Sequence, residues 1–370
     1  MASQFKPKHP LHWPNVFFLT LSPLAAIVAS IYYIPRYGIT ISDITIFILM
    51  FFATGLSITG GYHRHFSHLS YQAHPIMKFF YLIFGACAME NSALNWSSDH
   101  RIHHRYTDTD ADPYNAKNGF FWSHIGWVLY QTREPKQLTN VGDLMKDPLV
   151  RWQHKYHIAI ALVVGFGLPL AIGYAIGRPF GTLLWGALIR VVFVHHVTFF
   201  INSLAHIWGT QPFSRKDTSV DSWWLAFLTN GEGYHNFHHT FPSDYRNGIY
   251  WYQWDPTKWL IAGSKFLGLT NRLHRMPSHL ILRARMEVDA LDAEKRILQA
   301  PEVHHPVLRE RLAQAKVKLD HALMQWGEMK AKYREQKTHV WREKVMEYEQ
   351  HLQSARAEWR AILQSVPVIN

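Results

Sequence analysis

Two stretches of this sequence carry three histidines at one spacing: DHRIHHRY, residues 99–106, and GEGYHNFHH, residues 231–239. Each reads H-x-x-H-H, as His100, His103, His104 and as His235, His238, His239. On an α-helix, positions i, i+3 and i+4 share a face, so each motif can aim three imidazoles at one place. Two further sets are His63 with His68, spaced H-x-x-x-x-H, and Asn202 with His206 in NSLAHIWG. Positions five apart diverge by about 140° on a regular helix, so the helix carrying His63 is expected to end before His68. Neutral imidazole is a ligand for iron, zinc, copper or nickel. These nine histidines exceed what one ion can take, so two metals are implied.

Other chemistries fit less well. The one cysteine, Cys87, excludes intramolecular disulfides and any four-cysteine metal or cluster site. A carboxylate-bridged di-metal bundle needs two E-x-x-H motifs with two further glutamates. E-x-x-H occurs at Glu232–His235 and Glu302–His305, but the second lies between prolines, which argues against that design. The formal charge of +11 comes from Lys and Arg scattered through loops, without a nucleic-acid motif, so no nucleic-acid partner is expected.

What must position the histidines is a membrane domain. Apolar residues make up 48% of the chain, yet the mean hydropathy is slightly negative, as in a mosaic of very apolar and very polar blocks. Residues 15–34 carry no charge over a length that spans a bilayer core of about 30 Å. Residues 39–61, 157–177 and 180–203 follow as further spans, giving two helical hairpins; Met77–Cys87 is too short and is expected at the interface. The loop from His63 to Tyr156 holds ten Lys or Arg, and Lys6 and Lys8 precede the first span, whereas the two tight turns offer Arg36 and Arg178. By the positive-inside rule, both termini and the histidines face the cytoplasm. One histidine cluster could be solvated residues near headgroups; several on one side of a membrane, with Asn202 and His206 among them, make a metal site the better reading.

Beyond about Ser278 the composition turns to Glu, Lys, Arg, Gln, Ala and Leu. Apolar or small residues recur in steps of four and three from Leu308 to Tyr333, loosen near Val340, and resume from Tyr348 to Ile362. That is a heptad-like stripe with a stutter. It serves either a helical hairpin packed on its own body or a coiled coil that joins copies or recruits a protein partner.

The ordered set HRHFSH, WSSDHRIHHRYTDTDADPYN, NSLAHIWG and GEGYHNFHHTFPSDYRNG resembles the membrane acyl-CoA desaturases of the stearoyl-CoA Δ9-desaturase type, over about residues 12–275. The resemblance implies an all-α integral membrane protein, with four transmembrane helices in two hairpins under a cytoplasmic helical cap that holds a di-metal site. The desaturase domain would be residues 1–278, and residues 279–370 a helical, coiled-coil-like extension outside the family core. It implies two iron ions held by His63, His68, His100, His103, His104, His206, His235, His238 and His239, with Asn202 acting through a bound water and O2 as co-substrate. No catalytic residue is expected beyond the metal ligands. Asn91, Trp96, Thr198 and Phe199 would lie along the substrate cavity near its bend, and Phe51 and Gly55 deeper, limiting chain length. The substrate would be a long-chain acyl-CoA, desaturated at Δ9. The nearest alternatives are a fatty-acyl or lipid hydroxylase on the same scaffold and a non-catalytic membrane metal-binding scaffold. Glu90 stands where animal members have glutamine, Ser97-Ser98 replaces a pair containing an arginine, and His65 occupies a position usually not histidine. These departures leave acyl-lipid and carrier-protein substrates open.

The chain has no G-x-G-x-x-G fingerprint and no HPGG haem motif, so electrons must come from a separate ferredoxin, rubredoxin or cytochrome b5. The lone cysteine and the lack of an ER-retention signal point to a bacterial inner membrane. Asp99, Asp108, Asp110 and Asp112 are placed either to orient imidazoles or to be solvated loop acids. His195 and His196, inside a span, are functional candidates. His74, His124, His154 and His157 are expected in hydrogen-bonding or surface roles.

Overall fold

Asp43, fully buried near the start of the second apolar stretch, explains how the two hairpins are joined. The computed structural model describes residues 10–130, 138–299 and 301–366; Lys6 and Lys8 lie outside these. Among the described residues four helices are long and apolar enough to cross a membrane: α1 (Trp13–Tyr37), α2 (Ile41–Ser67), and, later in the chain, Pro148–Ala175 and Pro179–His206. Thr40 caps α2 reciprocally with Asp43: the Asp43 carboxylate accepts from the Thr40 backbone N–H at 2.9 Å, and the Thr40 hydroxyl accepts from the Asp43 N–H at 3.4 Å. Arg178, in the turn between the later pair, donates to Asp43 at 2.6 Å and to the carbonyls of Tyr37 and Gly38 at 3.0 and 3.2 Å. Both hairpin turns are thereby fastened together at one end. The opposite ends, at Ser67 and His206, are those that carry histidines.

The outer faces are apolar and uncovered. Phe17, Leu21, Leu24, Ile27, Val28 and Ile31 of α1 are exposed, and Ala26 alone of that helix is buried. In water such a surface would be strongly disfavoured; against lipid it is the stable arrangement. The short apolar α3 (Pro75–Ala86) is too short to span. It leads into α4 (Ala93–Tyr106), capped by the Ser92 hydroxyl, which accepts from Asn95 N–H at 3.3 Å. The two later spans are α5 (Pro148–Ala175) and α6 (Pro179–His206), followed by the short α7 (His235–Thr240) and α8 (Pro256–Phe266).

The histidine-bearing end of α2 departs from expectation. The helix does not stop between His63 and His68; Ser57–Ser67 is wound as a π-helix, and His68 N–H donates to His63 C=O at 3.1 Å. An i→i+5 turn lays residues five apart nearly one above the other, so both imidazoles point the same way, with ring centroids 4.9 Å apart. The spacing that looked incompatible with a continuous helix is the natural one for this winding.

The described chain divides into two compact units, one of residues 1–210 and 217–275, the other of 211–216 and 276–370. The second is built on α9 (Ser278–Gln299), α10 (His305–Gln336) and α11 (His339–Ser365). Ala293 and Ile297 share a core with Leu319 and Trp326 and with Leu352 and Trp359. Lys337 adopts a left-handed conformation (φ 52°) and Thr338 caps α11, so the chain reverses here. The apparent stutter near Val340 is this reversal. The stripe belongs to two antiparallel helices that pack on each other and on α9, fastened by a Lys318–Glu358 ion pair.

Candidate metal centre

The nine histidines singled out by spacing come together as two groups among the described residues. His63, His68, His100, His104 and His238 form one; His103, His206, His235 and His239 form the other, and within each the ligand-type atoms lie within 4.8 Å of one another. Each H-x-x-H-H motif is therefore divided. On α4, His100 and His104 face one group and His103 the other; on α7, His235 and His239 face the second group and His238 the first. The i, i+4 pair stays together while the odd histidine turns aside, so each helix serves both groups.

The ring nitrogens meet at ligand-like separations. Nε2 atoms are 2.9 Å apart for His63–His238, 2.8 Å for His68–His100, 3.0 Å for His238–His104, 3.0 Å for His239–His235 and 3.3 Å for His103–His239. Nitrogens about 2.1 Å from one ion and at right angles would sit about 3.0 Å apart. Four of the outer nitrogens are held from behind. His63 Nδ1 lies 2.8 Å from Glu232, His103 Nδ1 3.0 Å from both oxygens of Asp112, and His100 Nδ1 3.3 Å from the Tyr114 hydroxyl. His206 Nδ1 meets the Thr218 hydroxyl at 2.9 Å, and that hydroxyl donates to Asp108 at 2.8 Å. An Nδ1–H engaged in this way leaves the Nε2 lone pair directed inward, the tautomer a metal requires. Among the described residues buried His206 Nε2 has no hydrogen-bond partner, as expected of an atom whose partner is an ion.

Burial and then the neighbouring imidazoles hold His68, His100, His104, His235, His238 and His239 well below the usual histidine range. They are neutral Lewis bases at neutral pH. Residues, burial and tautomers all suit soft-to-borderline metal ions. Changing Asp112 to Asn, which keeps its shape but removes the anion behind His103, is expected to weaken metal binding about 10- to 100-fold in a chelator competition.

A cavity of about 510 Å³ opens beside the first group, bounded by His63 and His100. Asn91, Trp96, Thr198, Phe199 and Asn202 line it, and the Trp96 ring stacks on His100 with centroids 4.9 Å apart. Phe51 and Gly55 are not among the lining residues. Phe51 packs in an aromatic cluster with Phe47, Phe52 and Phe193. A Cβ on Gly55 would stand 2.5 Å from the amide nitrogen of buried Asn230, which would have to shift to admit it.

The remaining histidines have other partners. His65 Nδ1 lies 3.1 Å from the Tyr71 carbonyl, His195 Nε2 2.8 Å from the Ala88 carbonyl, and His154 Nδ1 2.7 Å from the Ser92 hydroxyl. His124 lies between His196 and Ser203, 3.1 Å from each. His157 faces the His154 carbonyl at 2.9 Å, and His74 caps α3 by accepting from Ile76 N–H at 3.3 Å. Of the four acids near the second motif, Asp112 touches an imidazole and Asp108 acts through Thr218, while Asp99 lines the cavity and Asp110 is exposed. Glu232, Tyr114 and Thr218 are supports that histidine spacing does not single out. Glu232 and Tyr114 stand inside the histidine motifs themselves, but Thr218 has no local signal in the sequence.

A helical membrane body with two polyhistidine pockets at one end defines a class, and sequence comparison names it. The fatty acid desaturase family model matches residues 44–266, more than half of the chain, and the chain belongs to that family. It is 43% identical over 257 residues to acyl-CoA desaturase 1 of Saccharomyces cerevisiae, covering 69% of this chain and 50% of the relative. To stearoyl-CoA desaturase 5 of Bos taurus it is 35% identical over 280 residues, 73% of this chain and 81% of the relative. To the sn-1 stearoyl-lipid 9-desaturase of Anabaena variabilis it is 33% identical over 275 residues, 74% and 97%. The chain spans about half the length of the yeast relative.

Proposed function

We propose that this protein is an oxygen-dependent acyl desaturase that converts a saturated long-chain acyl-CoA to the cis-Δ9 monounsaturated product. One observation carries the reading: two groups of imidazoles stand together, the first of them at the wall of a cavity through His63 and His100, with the outer nitrogens of His63, His100, His103 and His206 anchored. In this reading His63, His68, His100, His104 and His238 hold one iron, and His103, His206, His235 and His239 the other, with Asn202 reaching the centre through a water. Bound iron, with O2 as co-substrate, supplies the oxidising power that hydrogen removal from an unactivated methylene demands. The overall change takes two hydrogens from adjacent carbons, two electrons and two protons, and O2, and gives an alkene and two waters. The chain's own part is geometric. Trp96, Thr198 and Phe199 fix the run of methylenes so that one C–C bond lies beside His63 and His100.

The names of the bovine and cyanobacterial relatives support a stearoyl chain, that of the cyanobacterial one also supports the Δ9 position, and the names divide between CoA and lipid carriers. Acyl-CoA is preferred here; a lipid-linked acyl chain is the alternative that the cyanobacterial relative favours. The electrons come from a separate acidic redox protein docking on the basic cytoplasmic face that bears the histidines. Fatty-acid profiling by gas chromatography–mass spectrometry, in a desaturase-deficient host with a compatible reductant, tests the reading. A new cis-monounsaturated acid is expected, with stearoyl-CoA consumed by the purified protein. Hydroxy acids would make it a hydroxylase, and metal-loaded protein without product under every donor would leave a binding scaffold.

A further inference from the structure

The loop between α6 and α7 is divided between the two compact units. Thr210 and Asp221 pair as an antiparallel bridge, with N–H···O=C distances of 3.0 and 2.6 Å, so residues 211–220 form a closed loop. Its returning arm, from Asp217 onward, belongs to the membrane body and supports the second histidine group. The Thr218 hydroxyl meets His206 Nδ1 at 2.9 Å, and the Thr218 N–H and hydroxyl donate to Asp108 at 2.7 and 2.8 Å. Asp217 lies 3.7 Å from His239 Nδ1. Asp221 accepts from the N–H groups of Asn236 and Phe237 at 2.8 and 3.1 Å, which fixes the first turn of α7.

The tip of the loop has a different attachment. Residues 211–216 form one compact unit with the C-terminal helices. Phe213 is buried, and the Arg285 guanidinium on α9 lies over its ring, 4.9 Å from the centroid. Arg215 donates to Asp292, also on α9, at 2.5 Å and to Gln211 at 3.3 Å. The Arg215–Asp292 pair is partly exposed, and ion pairs of that kind contribute little, so the buried ring is the firmer attachment. Helix α9 lies outside residues 44–266, the stretch that the family model matches.

Resting on the two-metal reading above, we propose that the C-terminal helices clamp the second histidine group: α9 fixes the loop tip through Phe213 and Arg285, and the tip, through the chain itself, fixes Asp217 and Thr218 behind His239 and His206. Phe213 and Arg285 are positioning residues. Lys216 ends the tip, and Asp217 and Thr218 are the next two residues. A free loop loses backbone entropy when two of its residues are set behind imidazoles; a loop whose tip is already fixed loses less, and the metal site is ordered before the ion arrives. Asp221, which holds α7 and with it His238, is secured at the base of the loop by its bridge to Thr210. The supports of His63 and His100, Glu232 and Tyr114, lie outside the loop. Loosening the tip therefore falls on the second group and spares the first.

The test is anaerobic titration of the metal-free full chain, in detergent micelles, with ferrous iron against a competing chelator. In a His238→Ala background only the second group is complete. There Phe213→Ala is expected to weaken iron binding about tenfold, the lower end of what losing an imidazole's outer partner costs, and Arg285→Ala about fivefold. In a His235→Ala background, which leaves the first group complete, both variants should bind iron as their parent does. Without metal, amide hydrogen exchange at residues 217–219 should be faster in both variants than in the wild type. Unchanged second-group affinity in Arg285→Ala, unchanged exchange, or equal weakening of both groups overturns the clamp and leaves the two-metal reading standing. If Phe213→Ala does not fold, Arg285→Ala, altered only in α9, decides. A wild-type chain that takes up fewer than two ions overturns the two-metal reading and the clamp together, whether or not an alkene is formed.

Discussion

His238→Ala is expected to lower bound metal from about two ions per chain to about one and to reduce alkene formation at least 100-fold. The side chain is 1% exposed, and its Nε2 stands between those of His63 and His104, at 2.9 and 3.0 Å. Losing a group that merely orients a ligand costs about 10- to 100-fold in affinity or activity, so losing the ligand itself should exceed that. The other group keeps all four of its histidines, His103, His206, His235 and His239, which is why half of the metal should remain. His65→Ala is the matched control. His65 lies two residues from His63 within the same motif, yet it faces the Tyr71 carbonyl and belongs to neither group. Its metal content should stay at the wild-type value. Elemental analysis by plasma mass spectrometry, alongside product profiling, reads both variants; equal metal loss in the two would undo the division of ligands.

That contrast shows how far the sequence could be read. Four apolar runs, their pairing and the nine clustered histidines are local features: composition over twenty residues, or spacing over five, is enough to find them. The division of each H-x-x-H-H motif between two groups is not local, because it depends on how α4 and α7 approach each other. His63 and His68 were legible as a pair but not as a geometry, since a spacing of five is wrong for an α-helix and right for a π-helix, and the winding is set by packing around the Ser57–Ser67 segment. In the tail, steps of four and three describe a continuous stripe and a reversed hairpin equally well. Only Lys337 in its left-handed conformation, followed by Thr338 as a cap, separates them. Glu232 was visible as part of an E-x-x-H motif, and its true partner, His63, lies 169 residues earlier in the chain.

Glu232 also explains why the metal site and the fold should fail together. Arg64, 1% exposed, donates to Glu232 at 2.9 Å, to Asp255 at 3.0 Å and to the Tyr245 carbonyl at 2.9 Å. Asn247 donates to the other Glu232 oxygen at 2.6 Å, and the backbone N–H groups of Asn247 and Gly248 reach Asp255 at 2.9 and 3.0 Å. Burial works against ionisation of Glu232, but His63 and Arg64 outweigh it and hold the carboxyl below its usual range. Arg64→Met keeps most of the volume and leaves two buried carboxylates facing each other without a cation, a loss of about 3–5 kcal/mol. The pH dependence has a definite sign. In the wild type, the stability due to Glu232 is present above its unfolded value and lost as pH falls through its lower folded value. In the variant, protonation relieves the uncompensated pair, so the gap between the two proteins should be widest near neutral pH and shrink on acidification. Arg64→Lys, with one compact charge in place of the guanidinium fork, should recover only part of the difference. Guanidinium unfolding of the metal-free proteins at pH 5 and pH 7 measures this, and metal titration of the folded fraction should show weaker binding where Glu232 no longer has its anchor. A gap that widens toward pH 5 would mean that Arg64 does not hold these carboxylates in their charged form.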